Sequence, residues 1–289
     1  MGEIIFMDED DFTKPEILNI TKTFQTDLIL YSGSINSDGT REIFKLTKNP
    51  SSENIILILC TYGGDPAQAF KIARRLQESY RKFSLLVYGP CKSAGTLIAV
   101  GADEIIMSES AELGPLDIQI PNKNEIGTYN SGLDINEALN ALRDETITIF
   151  GRTFNQLINH GLSTQLSAEV AVKLASNFVA PILSQINPIK LGEISRAMEV
   201  GRAYSTRLTA QKRGNLKSTD FLYELVEDYP DHGFVIDFLE AQRIFKNIRH
   251  YNNEEISLGE VLDSYVWEPS EDQPIVIRLP REVKDETKK

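Results

Sequence analysis

The chain is poor in several residue types, and each shortage excludes something. It has two cysteines (Cys60 and Cys91), three histidines and one tryptophan in 289 residues. Two cysteines cannot build a disulfide framework, and no C-x-x-C pair or histidine cluster offers a zinc ion its ligands. Each cysteine ends or follows an apolar run, so both read as buried reduced thiols. Basic residues number 30 against 42 acidic ones, a formal net charge of −12. Such a chain is a poor counterion for phosphate and for anionic lipid, so neither nucleic acid nor membrane is expected as a partner. No uninterrupted apolar run reaches the ~18 residues of a spanning segment. The opening "MGEIIFMDEDDFTKPEILN" lacks the basic flank and apolar core of a signal peptide, and Phe6 stands where a myristoylation signal requires Ser or Thr. The expected location is cytoplasmic. There is no internal repeat, no G-x-G-x-x-G fingerprint and no Walker loop, and no cofactor is expected.

What remains is ordinary for a globular protein, with 41% hydrophobic and 25% charged residues. From residue 25 to 120, short apolar runs alternate with helical stretches. "DLILYSGSI", "NIILILCTY", "FSLLVYG" and "DEIIMSES" read as strands. "REIFKLTKN", "PAQAFKIARRLQESY" and "SAGTLIAVGA" read as the helices between them. In the second helix Ala69, Phe70, Ile72, Ala73 and Leu76 share the inner side. Strand and helix in alternation imply right-handed crossovers and a mostly parallel sheet, hence an α/β fold. Residues 120–134 are rich in Asn and Gly and read as an exposed loop. Beyond them the chain is helical for some 90 residues, with a helix start at Ser167 and interruptions at Pro181 and Pro188. The expected organisation is an N-terminal extension (1–24), a catalytic core (25–120), a loop (121–134), a helical part (135–270) and a charged tail (271–289).

Two glycine-rich turns concentrate the chemistry. In Thr61-Tyr62-Gly63-Gly64-Asp65 a buried strand ends just before a helix, with Asp65 as cap and Pro66 in the first turn. Outward backbone N–H groups at such a turn can hold an anion or an oxyanion. In "GPCKSAGT" Ser93 stands where the next helix begins. Taken alone it reads as a cap or as a nucleophile whose alkoxide the helix dipole favours, with the Ala94 N–H as an oxyanion donor. The small residues after it would let a substrate backbone approach. Both turns fall at the C-terminal ends of neighbouring parallel strands, where open α/β sheets place their sites.

The motifs "TYGGDPAQAFKIARRL", "YGPCKSAGTLIAVGADEIIM", "SAELGPLD" and "YPDHGFVID" resemble the Clp-fold serine peptidases. The resemblance is to the serine dehydrogenase proteinase type, with signal peptide peptidase A and the Clp proteolytic subunit as relatives, and it covers roughly residues 25–250. It implies a Clp/crotonase-like fold and makes Ser93 the nucleophile. By the same resemblance Gly63, Gly64 and Ala94 form the oxyanion hole, while Gly114, Pro115 and Asp117 line the substrate cleft. It further implies extended or unfolded peptide as substrate and a homo-oligomer, with any partner ATPase left open.

One departure concerns the base. Where the Clp proteolytic subunit has its histidine, this chain reads Gly114-Pro115-Leu116-Asp117-Ile118-Gln119. A serine hydroxyl needs a base. His232, in a turn beside Gly233, is the first candidate, because imidazole suits proton transfer near neutrality. Lys123 comes second, in a polar loop that offers a lysine little of the burial it would need. Lys173 and Lys190, in apolar helical contexts, come after it. His160 reads as a helix C-cap and His250 as exposed. The sequence thus reads as a serine endopeptidase. The alternatives are a catalytically silent oligomeric binding module and, behind it, a crotonase-like acyl-CoA enzyme.

Overall fold

The computed structural model describes residues 12–116, 119–121, 129–210 and 213–280. Contacts divide the chain into two units, residues 1–116 with 200–289 and residues 117–199.

The first unit is built on a six-stranded sheet. Its strands β1 (Asp27–Ser32), β2 (Asn54–Cys60), β3 (Lys82–Val87), β5 (Glu104–Met107) and β9 (Ile248–Arg249) run parallel, and β10 (Ile275–Arg278) joins β1 antiparallel, giving the order β10-β1-β2-β3-β5-β9. Helices α2 (Ser37–Leu46), α3 (Pro66–Ser79) and α4 (Ala94–Gly101) make the crossovers. The strands read clearly in the sequence because parallel strands covered on both faces are continuous apolar runs. Every residue of β1, and all of β2 beyond Asn54, is buried. Leu28, Leu30, Ile56, Ile58, Leu86 and Ile106 share one cluster with α1 (Pro15–Thr21), α10 (Asn253–Leu262) and α11 (Ser264–Trp267). Two-residue strands β4 (Pro90–Cys91) and β6 (Glu112–Leu113) form a separate parallel pair.

Local signals set the helix starts. Asp65 accepts from the Ala67 N–H at 2.7 Å and Pro66 occupies the first helical position of α3, as expected. Asn36 caps α2 through the N–H groups of Asp38 and Gly39, so this helix begins four residues before the stretch chosen from apolar spacing. Asp237 caps α9 (Phe238–Ile244). Short α8 (Asp220–Tyr223) precedes a π turn at Glu224–Asp228. On α3 the expected inner residues are buried except Phe70, which is half-buried and stacks on Tyr204 at 4.7 Å. Residues 271–280, assigned to the tail, include β10, whose Ile277 pairs with Leu30.

The second unit contains a helical hairpin, α5 (Gly132–Asn159) and α6 (Thr164–Leu183), and the start of α7 (Pro188–Thr209). Gly161, at φ +85°, closes α5, with the Leu162 N–H donating to Leu157 O at 3.1 Å in a Schellman arrangement, so His160 is at the helix end as expected. Ser163, not Ser167, caps α6, while Ser167 is buried within the helix. Pro181 lies inside the last turn of α6, where it removes only its own N–H and the Ser184 N–H still donates to Ala180 O at 3.0 Å, and Pro188 opens α7. Part of the expected 120–134 loop is instead an antiparallel pair, β7 (Gln119–Pro121) with β8 (Tyr129–Ser131).

Candidate active site

Ser93 sits between β4 and α4 with φ 51° and ψ −113°. Only Ser93 and Asp263 among the described non-glycine residues have positive φ. This backbone costs about 1–3 kcal/mol and persists only where the surroundings impose it. The residue holds the N-cap position of α4, yet its hydroxyl makes no capping hydrogen bond, so the capping reading fails. Cys91, two residues earlier, is fully buried, and burial pushes its thiol up and away from thiolate character. Burial does the same to Cys60, raised to about 12, with a Ser32 hydrogen bond opposing it only in part. Both thiols are free and inert, as expected from their apolar runs.

The Gly63-Gly64 turn meets Ser93 directly. Gly63 has φ +124° and Gly64 φ +143°, a region other residues rarely adopt. A methyl on Gly64 would stand 2.2 Å from Ile35 O, and one on Gly63 would stand 2.9 Å from Ser93 Cβ. Hydrogen bonds fix the turn. Ile35 N–H donates to Gly63 O and Asp65 N–H to Ile35 O, each at 2.8 Å. Thr61 Oγ1 accepts from the Gly63 N–H at 3.0 Å and donates to Gly63 O at 3.1 Å. This corrects the expected oxyanion set, because the Gly63 N–H is already taken. Gly63 contributes room for Ser93 instead of a donor. Among the described residues no acceptor takes the Gly64 N–H, and Gly64 is exposed where Gly63 is buried. Ala94 opens α4, where first-turn amides lack helical partners. The small residues that follow pack on the protein itself, since α4 is buried throughout and a methyl on Gly95 would stand 2.7 Å from Thr61 Cγ2.

The 112–116 segment is stitched beside this turn. Thr96 Oγ1 donates to Gly114 O at 2.7 Å and accepts from Gly114 N–H at 3.2 Å. Leu113 and Ile236 exchange two backbone bonds of 3.0 Å, and Leu116 N–H donates to Leu225 O at 2.7 Å. Gly114 and Pro115 are both buried. Asp117 and Lys123 lie outside the described residues, as does the Lys190 side chain.

Of the candidate bases, His232 comes into this neighbourhood. It sits in the turn Asp231–Phe234, closed by the Phe234 N–H to Asp231 O at 3.1 Å, and its neighbour Gly233 accepts a hydrogen bond from Lys92 Nζ at 2.9 Å. His160 and Lys173 belong to the second unit, and Lys173 is exposed on α6. His250 is exposed, as expected, and stacks on Phe238 at 3.7 Å. The sequence reading overlooked Thr61, Thr96, Lys92 and Glu112. Thr61 carries a faint signal, a hydroxyl where a buried strand ends before two glycines.

Residues 32–158 match the family model of the ClpP-like SDH-type serine proteinases. The ClpP-like segment runs from the end of β1 into α5 and holds both glycine-rich turns, Ser93 and the 112–116 stretch. This match agrees with the resemblance carried by the motifs, and over these residues it is to serine peptidases of a ClpP-like type. An uncharacterized protein of Methanocaldococcus jannaschii is 27% identical over 207 residues, 68% of this chain and 64% of its own length. A second uncharacterized protein of that organism is 38% identical over 87 residues, 30% of either chain. The chain thus spans less than two thirds of these curated relatives. Among solved structures, a serine-to-alanine mutant of the 1510-N membrane-bound stomatin-specific protease is 20% identical with a TM-score of 0.32, covering 49% of this chain and 66% of that one. A lysine-to-alanine mutant of the same protease, in complex with a substrate peptide, is 22% identical with a TM-score of 0.31, covering 49% and 62%.

Proposed function

We propose that the chain is a serine endopeptidase acting on extended peptide through an acyl-enzyme on Ser93. The observation that carries this reading is the serine's own conformation. A residue held at φ 51° at a helix start, making no capping bond and packed against a glycine that leaves it room, is arranged to present its hydroxyl. In the reaction Ser93 Oγ adds to the peptide carbonyl and its proton passes to the base, for which His232 is the candidate. The Gly64 and Ala94 N–H groups receive the oxyanion, each worth about 3 kcal/mol in the transition state. Collapse breaks the C–N bond as the base returns the proton to the leaving amine, and water then cleaves the ester by the same two steps. No cofactor enters this chemistry. The test is labelling by a fluorophosphonate probe together with cleavage of casein, each compared with Ser93→Ala.

We further infer that copies of the chain associate through α6. Ser167, Ala171, Ala175 and Val179 are buried on one side of this helix, while Leu166, Val170, Leu174, Phe178 and Ile182 stand 38–57% exposed at four-residue spacing. α6 is long and apolar enough to cross a membrane by length and composition, although no continuous apolar run marks it in the sequence. Glu169 and Lys173, exposed near its middle, would be costly in a bilayer and favour protein contact instead.

A further inference from the structure

Lys92, the residue before Ser93, ties together three of the segments that carry the site. Its backbone N–H donates to Thr61 O at 3.0 Å, next to the glycine turn. Its ammonium donates to Gly233 O at 2.9 Å and pairs with Glu112 Oε2 at 2.9 Å. The stem between these ends is held as well. A methyl on Gly114 would stand 3.1 Å from Lys92 Cβ and 3.2 Å from Cγ, so the stem runs closely along the Gly114 backbone. The Lys92 side chain is 13% exposed and that of Glu112 38%. An exposed lysine pair tethers little, because the side chain gives up rotamer freedom for a screened attraction. The Lys92 side chain is mostly covered along its length, so its head is held close to these two partners and losing one leaves the charge less well compensated.

The segment held at the far end is the turn that carries His232. Gly233 N–H donates to Asp231 Oδ1, Phe234 N–H to Asp231 O, and Ile236 is bonded both ways to Leu113. The turn is thus closed on itself and anchored on its C-terminal side. Lys92 grips it at Gly233, one residue from the imidazole.

We propose that Lys92 is a positioning residue that holds the Asp231–Phe234 turn, and His232 with it, against the nucleophile turn. This rests on the peptidase reading above, with His232 as the base. Lys92 is not itself the base, because an ammonium donating to a carboxylate and a carbonyl has no lone pair to offer. Its effect on the reaction runs through where it puts the turn.

The experiment combines amide hydrogen exchange at Gly233, Phe234 and Ile236 with the rate at which a fluorophosphonate probe labels Ser93. Lys92→Met keeps the stem over Gly114 and removes both polar contacts. It is expected to speed exchange at these amides and to slow labelling by about 10- to 100-fold, the range a misplaced catalytic group produces. Lys92→Arg, whose guanidinium can still donate to both oxygens, is expected to restore most of the protection and of the rate. In a His232→Ala background Lys92→Met should slow labelling no further, a coupling that a merely structural role would not give. Unchanged exchange in Lys92→Met, or the same loss of rate with and without His232, overturns the proposal. If wild-type protein takes no label at Ser93, the peptidase reading fails, and the exchange measurement still decides whether Lys92 holds the turn. Lys92→Gln replaces the methionine variant if that variant does not fold.

Discussion

Gly63 lies against Ser93 so closely that a methyl added to it would stand 2.9 Å from the serine Cβ and 3.3 Å from its Oγ. The contact joins the two turns into one site, and Gly63→Ala tests it. The variant must also hold an alanine at φ +124°. It is expected to lose at least about 100-fold in Ser93 labelling, the size of effect seen when an oxyanion arrangement is displaced, and about 1–3 kcal/mol of stability from backbone strain. Labelling kinetics and thermal melting measure the two effects separately.

Thr61 decides which amide of the glycine turn is available. Its hydroxyl is fully buried and satisfies both the N–H and the carbonyl of Gly63. Thr61→Val preserves the side-chain shape and leaves both groups without that partner, for an expected cost of about 1–3 kcal/mol. Thr61→Ser keeps the hydroxyl and should recover most of the loss in a denaturant titration.

At the opposite end of β1, Asp27 gives the fold an acid-sensitive anchor. The residue is 1% exposed. Burial pushes its carboxyl up, but hydrogen bonds from the Ser51 hydroxyl, the Ser51 N–H and the Tyr80 hydroxyl, with Arg278 nearby, outweigh that and hold it below the ordinary value. A carboxylate with a lowered folded pKa contributes stability above its unfolded value of about 4 and loses it as the pH falls through the folded value. Asp27→Asn should therefore be destabilised by about 1–3 kcal/mol at pH 7. Its deficit against wild type should shrink below about pH 4, measured by chemical denaturation across pH.

The bare face of α6 predicts self-association. Leu174 and Phe178 are 51% and 57% exposed. Leu174→Glu combined with Phe178→Glu is expected to reduce the molar mass by light scattering while leaving the melting temperature nearly unchanged. A wild-type monomer that floats with vesicles would instead assign this face to lipid.

How much could be read from the sequence followed from how local each signal is. β2 is a continuous apolar run after Asn54, and β3 is one but for Lys82 and Ser84, because neighbours cover both their faces, and the Asp65-Pro66 start of α3 is complete within three residues. β10 is four residues after a polar stretch, and its pairing with β1 is a long-range contact that no local pattern announces. The Ser93 turn is legible as one of a pair of glycine-rich corners, but the φ of Ser93 is not, since tertiary packing imposes it. Gly63 reads as an amide donor in the sequence, whereas in the fold its N–H is committed to Thr61 Oγ1. Lys92 gave no signal, because its partner Gly233 is 141 residues away.

Mass spectrometry of fluorophosphonate-treated protein reads whether Ser93 is a nucleophile. One adduct is expected, on the peptide containing Ser93, absent in Ser93→Ala and accompanied by loss of casein cleavage. Folded wild-type protein that takes no adduct at Ser93, or that cleaves casein equally well as Ser93→Ala, would contradict it.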